Sequence, residues 1–318
     1  MDLEMVLNEL SLCTPAPDII TARQWMSQLI FTLRQATTSG VKRILRTSNE
    51  INSLEIAPGY PIARWRNDSE VDIEERRFFR TLTNKAPFWN DVAEDFKDRF
   101  DLSQVWHEEI EAQGLGFVLI IDGLAISFNS ERKWNLSKLT LKIRRLNEDD
   151  ELFDELLEIV HASSQNHVKE HNDWIKYRIR LNINNGQELW NRKEELFPNL
   201  EFCDSVKKQL EDILSGQLEL QPVIKTLLTL QNYCQTWNSG SFYIQPSILE
   251  YSPESQQTLN NSKYKEQREF ICPDGKKRLF SLHAKLRICN WRIYFKPETP
   301  GKVIIGYIGS HLPTVKYK

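Results

Sequence analysis

The chain has 318 residues, 40% of them apolar and 27% charged, with nine tryptophans and a formal charge of −3. That supply of core-forming side chains excludes a disordered chain. No apolar run approaches the roughly 20 residues that cross a bilayer as a helix, which excludes an integral membrane protein of that kind.

The acidic opening MDLEMVLNEL lacks the basic start and apolar centre of a secretion signal, so the sequence predicts a cytosolic protein. Residues 19–36 place Trp25, Leu29, Ile30 and Leu33 at helical spacing, with Asp18 or Thr21 available as N-cap and Gly40 as the stop. In 53–68, Pro-Gly-Tyr-Pro reads as a turn between two short extended runs. Residues 72–85 read as a helix that ends before Pro87, and the acidic stretch 88–111 reads as one or two solvated helices. The apolar run 116–128 reads as two strands turned by Asp122-Gly123. The alternating KLTLKIRRL of 138–146 gives a third, so the expectation is a three-stranded antiparallel meander. From 148 the pattern turns helical through DELFDELLEIVHA, HVKEHNDWIKYRI, GQELWNRKEELF, CDSVKKQLEDIL and PVIKTLLTLQNYCQTW. Beyond Ser239-Gly240 it becomes strand-like to the end.

The charge is divided unevenly. Residues 261–318 hold thirteen Lys and Arg against four Asp and Glu, a net of +9, which leaves −12 on the rest. A basic module joined to an acidic body predicts a polyanionic partner, nucleic acid or an acidic protein face. In NWRIYFK, Arg292 and Tyr294 share one strand face, and in KLRI, Lys285 and Arg287 do the same. A sheet face carrying Lys285, Arg287, Arg292, His283 and His311 suits a phosphate backbone, with Lys276, Lys277 and Arg278 as further cations. Tyr294 would stack on an unpaired base.

These residues also carry a resemblance. Lys285 and Arg287, then Trp291, Arg292 and Ile293, then Gly309 and His311, then Tyr317 follow the order of the basic strand, the Gly-x-Tyr-Arg-Ile-like strand and the apolar strand of RelE/ParE-type toxins. Residues 247–259 resemble that family's first strand and the start of its first helix. The likeness covers about a quarter of the chain. The family's two-helix hairpin between the first two strands has no counterpart beyond SPESQQTLNN. The resemblance implies an RNase, with His283, Arg292, His311 and Tyr317 activating a ribose 2′-hydroxyl and stabilising the transition state. The whole chain also resembles an uncharacterised bacterial family of similar length, which implies no function.

Two other patterns carry chemistry. His167-Val168-Lys169-Glu170-His171 spells His-x-x-Glu-His, whose histidines would sit one helical turn apart and share a zinc ion, with Glu188, Glu194 or Glu250 as a third ligand. Glu108, Glu109, Glu111 and Asp122 with Lys138 or Lys142 resemble the acidic-plus-lysine site of restriction-type nucleases, without the usual Glu-x-Lys on one strand. The five cysteines, Cys13, Cys203, Cys234, Cys272 and Cys289, form no Cys-x-x-Cys pair and predict reduced, mostly buried thiols.

The expectation is therefore an α+β protein. A mostly helical acidic region with a small antiparallel meander spans 1–238, and a basic, antiparallel β-rich module spans 239–318. The expected function is binding of nucleic acid, RNA in preference to DNA, as an RNase effector of toxin or antiphage type. The alternatives are a non-catalytic interaction subunit docking an acidic protein, and a zinc hydrolase using His167 and His171. No cofactor, metal or membrane is called for by the leading reading.

Overall fold

The computed structural model describes residues 2–84, 88, 104–146, 152–286 and 289–315. They form a mixed α/β fold with twelve α-helices among the described residues, and the chain divides into two compact units, Asp2–Asn182 and Ile183–Lys318. The division falls well before the expected boundary at 238/239, which lies inside the second unit.

The first unit runs β1 (Met5–Leu7), α1 (Ile19–Thr38), β2 (Leu45–Arg46), β3 (Glu55–Ala57), β4 (Tyr60–Pro61), α2 (Ile62–Trp65), α3 (Ile73–Thr83), β5 (Val105–His107), β6 (Ile110–Glu111), α4 (Gln113–Ile121), β7 (Leu124–Ile126), β8 (Lys138–Leu146), β9 (Leu152–Ala162), α5 (Gln165–Glu170) and α6 (Asn172–Leu181). Asp18 caps α1 by accepting from the Thr21 N–H at 2.7 Å. The buried stripe of α1, Met26, Leu29, Ile30 and Leu33, packs into a core with Trp65, Phe79, Met5 and Leu7 of β1, and Leu124 and Ile126 of β7. Seven strands form one sheet in the order β2-β1-β7-β9-β8-β5-β6. β2, β1, β7 and β9 run parallel, and β9, β8, β5 and β6 pair antiparallel.

Three expectations fail here. The run at 116–128 is not a hairpin: Gln113–Ile121 is a helix, Asp122 ends it in the left-handed conformation (φ 48°), and β7 follows. The stretch after 148 is not a helix but β9, paired with β8 from Lys138–Val160 to Leu146–Leu152. The expected meander is therefore not formed: β7 lies in the parallel half of a mixed sheet, and β8 pairs antiparallel with β9 and β5 instead. Of the expected acidic helices, 89–103 lies outside the described residues, and 105–107 and 110–111 are strands.

The second unit runs α7 (Gly186–Asn191), α8 (Lys193–Leu196), β10 (Leu200–Phe202), α9 (Asp204–Glu211), α10 (Leu220–Thr236), β11 (Tyr251–Pro253), α11 (Gln256–Asn260), α12 (Ser262–Glu266), β12 (Glu269–Ile271), β13 (Lys277–Leu279), β14 (Leu282–Lys285), β15 (Trp291–Thr299) and β16 (Lys302–Ser310). Its five-stranded sheet has the order β10-β16-β15-β14-β11, with β10 parallel to β16 and the other pairs antiparallel. The expected β-rich character and antiparallel hairpins of the C-terminal region are present. An aromatic group of Tyr251, Phe242 and Phe295 packs together beside Tyr233 and Trp237 of the α10 end. On the other side Tyr307 stacks with Phe270, which in turn meets Phe280.

Candidate functional site

Sheet register sets the site. His283, Tyr294 and Tyr307 are partners across β14, β15 and β16, and Lys285, Arg292 and Gly309 form the next row. Alternation puts both rows on one face, as expected from the strand pattern. His311 follows β16, held by its N–H donating to the Asn290 carbonyl at 3.2 Å. The His283 ring lies 5.1 Å from the Tyr294 ring and 6.4 Å from that of His311, and Tyr294 lies 5.8 Å from Tyr307.

Two residues that the sequence pattern does not single out complete the cluster. Glu254 leaves the end of β11, where its N–H donates to the Ser281 carbonyl at 2.7 Å. Its Oε1 accepts from the Tyr294 hydroxyl at 2.6 Å, pairs with Arg268 Nε at 2.7 Å and stands 3.8 Å from His283 Nδ1. Arg268 enters just before β12, where its Nη1 donates to the Tyr264 carbonyl at 2.9 Å. The other His283 nitrogen, Nε2, is 3.3 Å from Ser252 Oγ. Glu254, Arg268, His283 and Tyr294 are all buried, whereas Arg292 and His311 are half-buried at the edge of the group.

Burial disfavours charge on His311, and the nearby Arg292 and His283 add to it, so its pKa falls to about 4 and the ring is neutral at neutral pH. Burial and the Glu254 carboxylate push the Tyr294 hydroxyl well above the usual phenol range, which keeps it a hydrogen-bond donor. The cluster thus combines a neutral imidazole, a guanidinium, a carboxylate and a phenol. Those groups can accept a proton, stabilise negative charge on phosphorus-bound oxygen and hold a ring in orientation.

Three of the four expected catalytic residues, His283, Arg292 and His311, therefore come together. Tyr317 and Arg287 lie outside the described residues. Lys285 is buried and ion-paired with Glu250 at 2.9 Å. Lys276, Lys277 and Arg278 stand apart, on the β12–β13 hairpin, which is a separate two-stranded sheet. Arg278 grips Asp274 with two bonds of 2.6 and 2.7 Å, Lys277 pairs with Glu269 at 3.0 Å, and Lys276 approaches Asp274 at 4.0 Å.

The other candidates are dispersed or engaged. His167 Nδ1 accepts from the Ser163 N–H at 3.3 Å, while His171 Nε2 donates to the Ser137 carbonyl at 2.6 Å. Glu250 is the partner of Lys285, and among the described residues no group of three or more His, Cys, Asp or Glu is arranged to hold a metal ion. Asp122 pairs with Arg178 at 2.9 Å, Lys142 with Glu109 at 3.3 Å and Lys138 with Glu158 at 3.2 Å, so the acids and lysines of the restriction-type pattern pair off separately. Cys203, Cys234, Cys272 and Cys289 are buried and Cys13 is exposed. Among the described residues no helix is long and apolar enough to cross a membrane. Compared with known proteins, the chain matches no family model, no curated protein and no solved structure.

Proposed function

We propose that this protein binds nucleic acid, RNA in preference to DNA, through its C-terminal sheet, and cleaves RNA as an effector of toxin or antiphage type. The observation that supports this reading is the approach of His283, Arg292 and His311 to one another around Glu254 and Tyr294. In the proposed reaction His311, neutral at physiological pH, takes the proton of a ribose 2′-hydroxyl. The 2′ oxygen attacks the adjacent phosphorus, and the 5′ oxygen leaves and is protonated from solvent. The products are a 2′,3′-cyclic phosphate and a free 5′-hydroxyl. Arg292 stabilises the charge that builds on the phosphoryl oxygens. The test is incubation of the purified protein with single-stranded RNA and with its DNA counterpart. Cleavage of RNA alone, ending in a cyclic phosphate and abolished in His311→Ala and Arg292→Ala, is the expected result. Salt-sensitive binding without cleavage reduces the reading to binding, and neither binding nor cleavage overturns it.

One observation favours a second reading, a non-catalytic subunit that docks an acidic protein. The basic side chains Lys277, Arg278 and Lys285 already sit on carboxylates of their own unit. Each of these cations is already matched to a carboxylate, the group that an acidic protein surface presents. Absence of nucleic-acid binding at low salt, together with retention of an acidic protein partner on the immobilised chain, would favour it.

A further inference from the structure

The first unit carries a cavity unrelated to the C-terminal cluster. β1, β7 and β9 run parallel side by side, and Asn8, Ser127 and Ser163 are the first residues beyond their carboxyl ends. In open parallel sheets this edge is where ligands bind, because the loops there are free of the strand ladder and converge. A cavity of about 300 Å³ opens at this edge. That volume lies at the lower bound of small-molecule sites, roughly 300–1,000 Å³.

Its lining is chemically narrow. Gln28 and Phe31 come from α1, Asn129 from the loop after β7, and Ser163, Gln165 and Asn166 from the end of β9 and the start of α5. Thr32 and Ser164 complete the eight lining residues, and none of the eight is charged. Phe31 keeps 47% of its surface exposed, so its ring is available as a stacking platform. Gln165 Nε2 donates to the Phe31 carbonyl at 3.5 Å, which ties the α1 wall to the α5 wall.

The strand ends that support these walls are fixed. His161 Nδ1 donates to the Leu136 carbonyl at 2.6 Å, which leaves Nε2 to accept from the Ser127 hydroxyl at 2.7 Å, and Ser127 Oγ accepts from Asn8 Nδ2 at 2.9 Å. Asn8, Ser127 and His161 are fully buried. Strand ends held in this way set the lining segments at 129 and 163–166 before a ligand arrives, which lowers the ordering cost of binding.

We propose that this cavity binds an uncharged nucleobase of adenine type, stacked on Phe31 and read by the carboxamides of Gln28, Asn129 and Asn166. A carboxamide presents a donor and an acceptor in one plane, the complement of the adenine N6 and N7 edge. An aromatic ring supplies the stacking surface for an unpaired base. A phosphate or carboxylate finds no cation in the lining, so the recognised part of the ligand is the base alone. This site does not depend on RNA cleavage by the C-terminal sheet.

The base can reach the cavity as a free nucleoside or as part of a strand, and calorimetric titration of the full chain with adenosine and with oligo(A) separates the two. One adenosine bound per chain, with AMP no tighter, is the expected result for a nucleoside. Oligo(A) binding without adenosine binding, abolished in the same variants, would assign the base to a strand. Phe31→Ala removes the stack and should weaken binding by at least about five-fold, on the scale of base–aromatic stacking. Asn129→Ala should also weaken it. Both side chains are exposed, so an unchanged Tm confirms that the variants remain folded. Binding of neither ligand, binding unchanged in both variants, or equal binding of glucose overturns the proposal.

Discussion

Arg268 Nε and Glu254 Oε1 form an ion pair at 2.7 Å with 0% and 3% of their side chains exposed. Such a pair is costly to bury, and its value lies in mutual compensation. Glu254 also accepts from the Tyr294 hydroxyl at 2.6 Å, so one carboxylate balances the charge of a guanidinium and accepts from a phenol. Glu254→Ala would leave Arg268 as an uncompensated buried charge. The expected loss is about 3–5 kcal/mol, the range for breaking a buried pair from one side. Urea denaturation checks it: the midpoint should fall, and a loss below about 1 kcal/mol would mean that water reaches Arg268.

Gly186 starts α7 where a neighbouring backbone comes unusually close. A Cβ built there would stand 1.7 Å from the Leu210 carbonyl oxygen, and the Gly186 N–H donates to the Ile213 carbonyl at 2.8 Å. The obstacle is backbone, which cannot rotate away. Gly186→Ala should therefore destabilise the second unit by about 1–3 kcal/mol or more, the cost of overpacking. Thermal unfolding of the variant tests this, and an unchanged Tm would show that the packing of α7 on α9 is loose.

Much of this architecture was legible in the sequence, and the failures have physical causes. α1, α3 and α10 have polar and apolar faces, and β8 alternates, so periodicity identified them. α4 has no polar face to report its period: from Gly114 to Ile121 every residue is buried, and a fully buried helix segment reads like a core strand. β9 failed in the opposite sense. Its exposed face carries Leu152, Asp154, Leu156 and Glu158, a mixture that matches helical spacing as well as alternation, and pairing with β8 decided the outcome. At the candidate site, His283, Arg292 and His311 could be grouped from the sequence because they lie on or beside strands with clear faces. Glu254 and Arg268 were missed because they sit at element ends, where no periodicity marks a residue as inward. Their signal was compositional: an acid and a base flanking two short helices, needing partners if buried.

The buried histidines set a pH dependence. Burial drops the His161 pKa to about 3, against an ordinary value of about 6.5 in the unfolded chain. Between those values the unfolded chain binds a proton that the native state does not, so stability falls as pH falls. The contribution is complete above about pH 6.5 and is lost progressively towards pH 3, at up to about 1.4 kcal/mol per pH unit. His311 adds a smaller effect ending near pH 4, because it is half-buried. Urea midpoints at pH 7, 5.5 and 4 should decline in order, and His161→Gln should flatten the decline. A pH-independent midpoint in the native protein would mean that His161 is reached by water.

The basic hairpin offers a separate measure of the nucleic-acid reading. Lys276 and Lys277 keep 76% and 52% of their side chains exposed, so charge reversal there should not disturb the core. If they touch phosphates, each neutralised phosphate releases counterions, and the logarithm of affinity falls linearly with the logarithm of salt. Lys276→Glu with Lys277→Glu should weaken binding to all sequences alike and reduce the salt slope by roughly one for each phosphate that is no longer neutralised. The measurement is fluorescence anisotropy with single-stranded RNA across a range of potassium chloride. A double variant with the native slope would remove the hairpin from the interface and leave the Arg292–His311 edge as the surface that meets the strand. Binding that is insensitive to salt in the native protein would sink the polyanion reading altogether.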